Sequence, residues 1–412
     1  MLGAAIAGLI MSACGGPAAA QEIRSGAPRS SADLTAAQDV RAAMDAFSAD
    51  LYTILAREQG NAVLSPYSVA IALAMTRAGA VGETQRQMDA VLHAALTKDL
   101  NAGFNALDQA LAKRPGNFKV GDRTLELELA TANRLWGQKD STFETAFLDT
   151  LARDYGAGMQ IVDYKTAHEA ARRTINDWVA SRTKDRIKDL IPQGVLDAQA
   201  RLVLTNAIYL KASWLLPFND AVRGPFHLAN GSEVQVDVMS QSETLAYGAG
   251  DGYQAVRLPY VGGLSMVVIV PDAGRLNSFE RGLDGGALRR IASGLSNTQV
   301  ILSMPKFSFR STAKLKDALS ELGMPLAFTD RADFSGMSKQ ESLEIADVLH
   351  QAFIAVDEKG TEAAAATAVL ARLTSAPQRQ VELKIDRPFL FLIQDDETGA
   401  ILFMGRLADP RA

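Results

Sequence analysis

Thiol and imidazole chemistry are nearly missing from this chain. Its 412 residues include one cysteine and four histidines. A single cysteine excludes an intramolecular disulfide. Four histidines are poor material for a multi-ligand metal site. Neither a Gly-x-Ser-x-Gly elbow nor a Cys-x-x-Cys pair is present. His168-Glu169-Ala170-Ala171-Arg172 has the first half of a zinc-protease helix without its second histidine, and reads as a solvated helix face. Gly248-Ala249-Gly250-Asp251-Gly252 lacks the following helix of a dinucleotide fingerprint and reads as a loop. Enzymatic chemistry is left with a Ser-His-Asp triad assembled from distant positions. A strong charge bias is also missing. The net charge of −5 gives no general attraction to nucleic acid. No metal, cofactor or nucleic-acid partner is expected.

The one cysteine, Cys14, stands in an informative place. The small and apolar residues before it end in Leu9-Ile10-Met11-Ser12-Ala13, and Gly15-Gly16 follow. That run is too short for a stable membrane anchor and suits an export signal over residues 1–20. Small residues before a cysteine resemble the lipobox of bacterial lipoproteins, in which the thiol receives diacylglycerol. The expectation is a cell-envelope lipoprotein attached to the membrane through Cys14. Plain secretion, with cleavage after Ala18-Ala19-Ala20, is the alternative. Residues 21–36, rich in Ser, Gly, Ala and Pro, suit a flexible tether.

The rest of the chain, residues 37–412, shows no second linker and no repeat, and reads as one mixed α+β domain. Thr35–Arg57 reads as one amphipathic helix. Ser65-Pro66 opens a second, capped by Ser65 and nearly all apolar, hence buried. Helices are expected near Glu83–Leu96, Leu100–Lys113, from a Ser141/Glu144 capping box through Leu151, from about Ala167 to before Pro192, and over Leu315–Leu322. Strands are expected at Leu125–Leu129, Arg201–Trp214, Glu233–Met239, Tyr253–Val270 with a turn at Gly262-Gly263, Thr298–Arg310, Ala352–Val356, Val381–Ile393 and Ile401–Met404.

Asp357–Val369 is the most unusual stretch. It lies in a connection of about 20 residues with little to anchor it, a length that is usually functional or disordered. It opens with Gly360 and small residues and continues as Val369-Leu370-Ala371-Arg372-Leu373-Thr374-Ser375 before Pro377. The second part suits an extended bait for a protease cleft. Small residues in the first part can enter a tight space as helix or strand. An exposed alanine-rich helix is the competing expectation.

Several blocks, in order, resemble the serpin family of protease inhibitors from about Phe47 to Leu407. They are Asn61–Ser68, Asn176–Val179 with Thr183 and Ile187, Thr205–Trp214, Pro305-Lys306-Phe307, Ala332–Met337, His350–Thr367 and Leu383–Phe389. The resemblance implies a large, mostly antiparallel central sheet with surrounding helices, smaller sheets, and an exposed reactive loop over about 358–380. It implies a metastable, monomeric inhibitor of serine or cysteine endopeptidases rather than an enzyme. A protease would cleave the loop, and the upstream arm would enter the main sheet as a new strand. A non-inhibitory serpin acting as a binding or carrier protein is the alternative.

Residue roles follow from the same resemblance. The hinge would be Glu358, Gly360, Thr361, Glu362, Ala363, Ala364, Ala365, Ala366 and Thr367. A hydrogen-bonded cluster beneath the opening strands would comprise Ser65, Ser68, Asn206 and His350. Trp214, Lys306 and Glu358 would sit at the top of the sheet. Counting from Gly360 places the reactive bond at Thr374–Ser375, which suits elastase-like or subtilisin-like enzymes. Cutting after Leu373 would suit a chymotrypsin-like or papain-like enzyme, and after Arg372 a trypsin-like one. Counting back from Pro388 gives Pro377 instead. With Thr361 the first residue to insert, strand alternation puts Thr361, Ala363, Ala365 and Thr367 on one face.

Overall fold

The computed structural model describes residues 21–361 and 380–411. Among these described residues, two nine-stranded sheets carry the fold. Across the first run Gln21–Ile23, Met159–Val162, Arg134–Gln138, Leu202–Ser213, Gly360–Thr361, Ile345–Asp357 and Phe307–Lys314. The hairpin of Gly116–Val120 and Arg123–Thr131 also joins it through Leu202–Ser213. The second sheet runs Gln380–Lys384, Ser296–Pro305, Glu233–Gly250, Tyr253–Pro259, Leu264–Pro271, Phe389–Asp395, Ile401–Leu407 and Ala62–Leu64, with Asn219–His227 alongside. Most pairings in the first sheet are antiparallel. The 202–213 and 345–357 strands are parallel neighbours.

Pro66–Arg77 packs on both sheets. Ser65 accepts a hydrogen bond from the Ser68 amide at 3.2 Å, and Pro66 occupies the first turn. Every residue of this helix except Arg77 is buried, as its unbroken apolar run requires. On the other face of the first sheet, Ile175 and Val179 of Tyr164–Arg182 cover Val203, Ala207 and Leu349.

The expected flexible tether is docked instead. Gln21–Ile23 pairs with the edge strand Met159–Val162. Arg29 donates to Asn105 at 3.0 Å and to Asp108 at 2.6 Å, and the Ser30 amide donates to the Arg153 carbonyl at 2.9 Å. A free sheet edge offers unpaired amides and carbonyls to any nearby chain. Gly158 lets the segment approach, since a Cβ there would lie 2.7 Å from the Ile23 carbonyl oxygen. Composition alone carries no trace of these partners.

Other elements depart from expectation for local reasons. The helix expected over Thr35–Arg57 is two helices, Leu34–Asp39 and Arg41–Leu55, meeting at Val40. The Ser141 hydroxyl bonds Glu341 at 2.6 Å rather than capping a helix, so the next helix begins at Thr145. Gly248–Gly250 ends a long strand, and only Asp251-Gly252 forms the turn. Thr298–Arg310 and Val381–Ile393 each divide between two strands.

Candidate functional site

The parallel ladder between 202–213 and 345–357 runs from Ile345/Leu202 up to Ala352/Ile208. Above that level the two strands are joined through a short insert. Gly360 and Thr361 pair with Ser213 and Ala212 on one side, and with Asp357 and Val356 on the other. The chain reverses tightly to do this. Asp357 Oδ1 accepts from the amides of Lys359 at 2.8 Å and Gly360 at 3.1 Å. Gly360 has φ 154°, and a Cβ there would lie 2.0 Å from the Ala212 carbonyl oxygen. Only glycine fits this position. Thr361 is 2% exposed, and its hydroxyl lies 2.6 Å from that of Tyr260. The sequence places Thr361 as the first side chain to be buried on insertion; in the structure it is already buried.

A frame of fixed groups surrounds the insert. Trp214 stacks on Tyr260, with ring centroids 4.1 Å apart and 8° between planes. Its indole N–H donates to the Asp357 carbonyl at 2.9 Å, and its amide donates to the Lys359 carbonyl at 2.8 Å. The Phe218 amide donates to the Glu358 carbonyl at 2.8 Å, and the Ala221 amide to the Glu358 carboxylate at 3.1 Å. Lys306 lies 2.9 Å from Glu358. Burial pushes the Glu358 carboxyl up, but its backbone bond, Lys306 and the Ala221 amide outweigh that and hold it below its usual value. Trp214, Lys306 and Glu358 are thus brought together as expected. Tyr260, Phe218 and Ala221 were not anticipated, because nothing local in the sequence marks them; Asp357 opens the stretch singled out above, without a role assigned to its side chain.

Lower in the sheet, the Ser65 amide donates to Nε2 of His350 at 3.0 Å. The Ser68 hydroxyl bonds Asn133, another residue without a sequence signal. Asn206 stands opposite His350 in the ladder. Its buried side-chain amide has no hydrogen-bond partner among the described residues, so it does not join the cluster through that group. Glu362, Ala363, Ala364, Ala365, Ala366, Thr367, Arg372, Leu373, Thr374, Ser375 and Cys14 lie outside the described residues. Among the described residues, no group of three or more His, Cys, Asp and Glu is placed to hold a metal ion.

His350 yields a pH prediction. Its Nε2 accepts a hydrogen bond and must be unprotonated there. Burial, the larger influence, pushes the imidazole down to about 4, against an opposing influence of the Asn206 backbone. Its ordinary value is 6.5, so between these two values the unfolded chain binds more protons than the native state. The contribution is fully present above that window and lost as pH falls through it. Roughly 2 kcal/mol should be gone at pH 5. Melting measured at pH 7 and pH 5 should show a larger drop for wild type than for His350→Gln. Equal drops would remove His350 as the cause.

The family model described as Serpin (serine protease inhibitor) matches residues 42–410. An uncharacterized serpin-like protein of Thermococcus kodakarensis is 39% identical over 378 residues, covering 90% of this chain and 85% of that one. The leukocyte elastase inhibitor of Homo sapiens is 34% identical over 379 residues, covering 88% of this chain and 97% of its own. Among solved structures, the thermophilic serpin tengpin in its native state superposes with a TM-score of 0.82 at 28% identity, covering 95% of this chain and 100% of that one. The chain belongs to the serpin family.

Proposed function

We propose that this serpin inhibits serine or cysteine endopeptidases as a suicide substrate. The observation that carries this reading is the seat of Gly360-Thr361 between two strands of the main sheet. A protease would form an acyl ester at the loop. The freed upstream arm would zip downward from Thr361, dragging the ester-bound protease with it and distorting its active site before water completes hydrolysis. The existing register supports one path for the arm. Extending the ladders Thr361↔Ala212 and Val356↔Thr361 sets Thr367 opposite both Asn206 and His350. An inserted threonine hydroxyl there would meet the side-chain amide of Asn206, which lacks a partner in the uncleaved protein among the described residues.

Cleavage at Thr374–Ser375, or after Leu373 as an alternative, would make enzymes with small or apolar pockets the first targets to test; cleavage after Arg372 would instead call for a trypsin-like enzyme. Similarity to relatives described as leukocyte elastase inhibitors supports an elastase-like enzyme. Incubation with elastase-like, subtilisin-like, chymotrypsin-like, trypsin-like and papain-like proteases should give an SDS-stable adduct with at least one. Cleavage by all of them without any adduct would favour a non-inhibitory role. For location, we propose lipid attachment at Cys14 in the cell envelope. Fatty-acid labelling should mark the wild type and not Cys14→Ser; an unlabelled, soluble wild type would favour plain secretion.

A further inference from the structure

We propose that Tyr260 is a positioning residue for the inhibitory reaction. Its hydroxyl holds Thr361 in the main sheet before any protease arrives, so the first step of insertion is already made. This inference rests on the inhibitory reading above.

Tyr260 directly follows Tyr253–Pro259, a strand of the other sheet, and forms an isolated antiparallel bridge with Trp214, and its hydroxyl reaches Thr361 Oγ1 at 2.6 Å. Tyr260 and Thr361 are both buried at 2% exposure. The ring cannot swing easily. One face is covered by the stacked Trp214 ring, and the Tyr260 amide donates to the Leu264 carbonyl at 2.9 Å. Trp214 is itself held by the carbonyls of Asp357 and Lys359, which belong to the same reversal that delivers Thr361. Tyr260, Trp214 and the hinge therefore form one closed unit.

Starting a new strand is the costly step, because several dihedrals are fixed before bonds accumulate. A hinge already paired on both sides removes that step from the interval between acylation and deacylation. The partition after cleavage then favours insertion. The same seat shortens the free arm before cleavage, which slows docking of the protease.

The pair obeys a rule that makes it separable from general damage. Removing one hydroxyl leaves a buried hydroxyl without a partner, whereas removing both leaves two matched apolar groups. Tyr260→Phe and Thr361→Val should each drive the hinge out of its seat. The number of inhibitor molecules consumed per protease inactivated should rise about three- to tenfold in each. Association with the protease should be unchanged or faster. The double variant should return to within about twofold of wild type. With no protease present, Trp214 emission should shift to the red in both single variants, as Tyr260 and the hinge carbonyls leave it, and shift back in the double variant.

Two results would overturn the proposal. One is single variants that match wild type in stoichiometry and emission. The other is a double variant whose defect is the sum of the two. A wild type that forms no adduct with any protease would refute the inhibitory reading instead. The emission comparison would still decide whether Tyr260 seats Thr361.

Discussion

Cutting the reactive loop should make this protein more resistant to heat. The cut frees an arm whose first residue, Thr361, is already paired with Ala212 and Val356. Each further residue that zips between the two strands gains roughly 0.5–1.5 kcal/mol net from its backbone hydrogen bonds. Over about a dozen residues the sum is comparable with the whole stability of an ordinary domain. On that mechanism the uncleaved form would persist through a barrier rather than through equilibrium. That barrier would include parting the Ile345/Leu202 to Ala352/Ile208 ladder. Melting before and after a limited nick near Thr374 should show an upward shift on the order of 20 °C. Equal melting temperatures would eliminate strand insertion as the mechanism.

Replacing Thr361 with Arg should turn the inhibitor into a substrate. Thr361 is 2% exposed beside Tyr260, so the space is closed to a guanidinium. Burying that charge without a partner costs about 3–5 kcal/mol. The variant has two outlets, a hinge expelled from its seat before cleavage or an arm stalled after it. Either slows insertion by roughly a hundredfold to several thousandfold, while deacylation proceeds at its own rate. The bait near Thr374 is distant in sequence, so recognition and cleavage should survive. A gel that quantifies adduct and cleaved product should show mostly cleaved product. Adduct formed with wild-type efficiency would mean that Thr361 is not at the hinge, or that inhibition does not use insertion.

Much of the fold was legible because its signals are local. Strict alternation gives Arg123–Thr131, an unbroken apolar run gives the buried Pro66–Arg77 helix, and Gly262-Gly263 divides Tyr253–Pro259 from Leu264–Pro271. The misreadings share one cause. Ser141 and Glu144 have the spacing of a capping box, but a distant carboxylate, Glu341, takes the serine hydroxyl. Residues 21–30 look like a tether because their partners, Met159–Val162, Asn105, Asp108 and Arg153, are remote in sequence.

The same division runs through the functional site. By itself, the sequence determined the family, the order of most elements, and the small-residue arm beginning at Gly360, since these depend on residue type and spacing. It also brought Trp214, Lys306 and Glu358 forward as a group. Only the tertiary structure decided that Thr361 is seated before cleavage, that Tyr260 meets it, and that Ser68 bonds Asn133 rather than Asn206. Each of those facts joins strands or sheets far apart along the chain. Whether a buried hydroxyl or amide finds a partner is set by register and sheet-to-sheet packing, which no local pattern encodes.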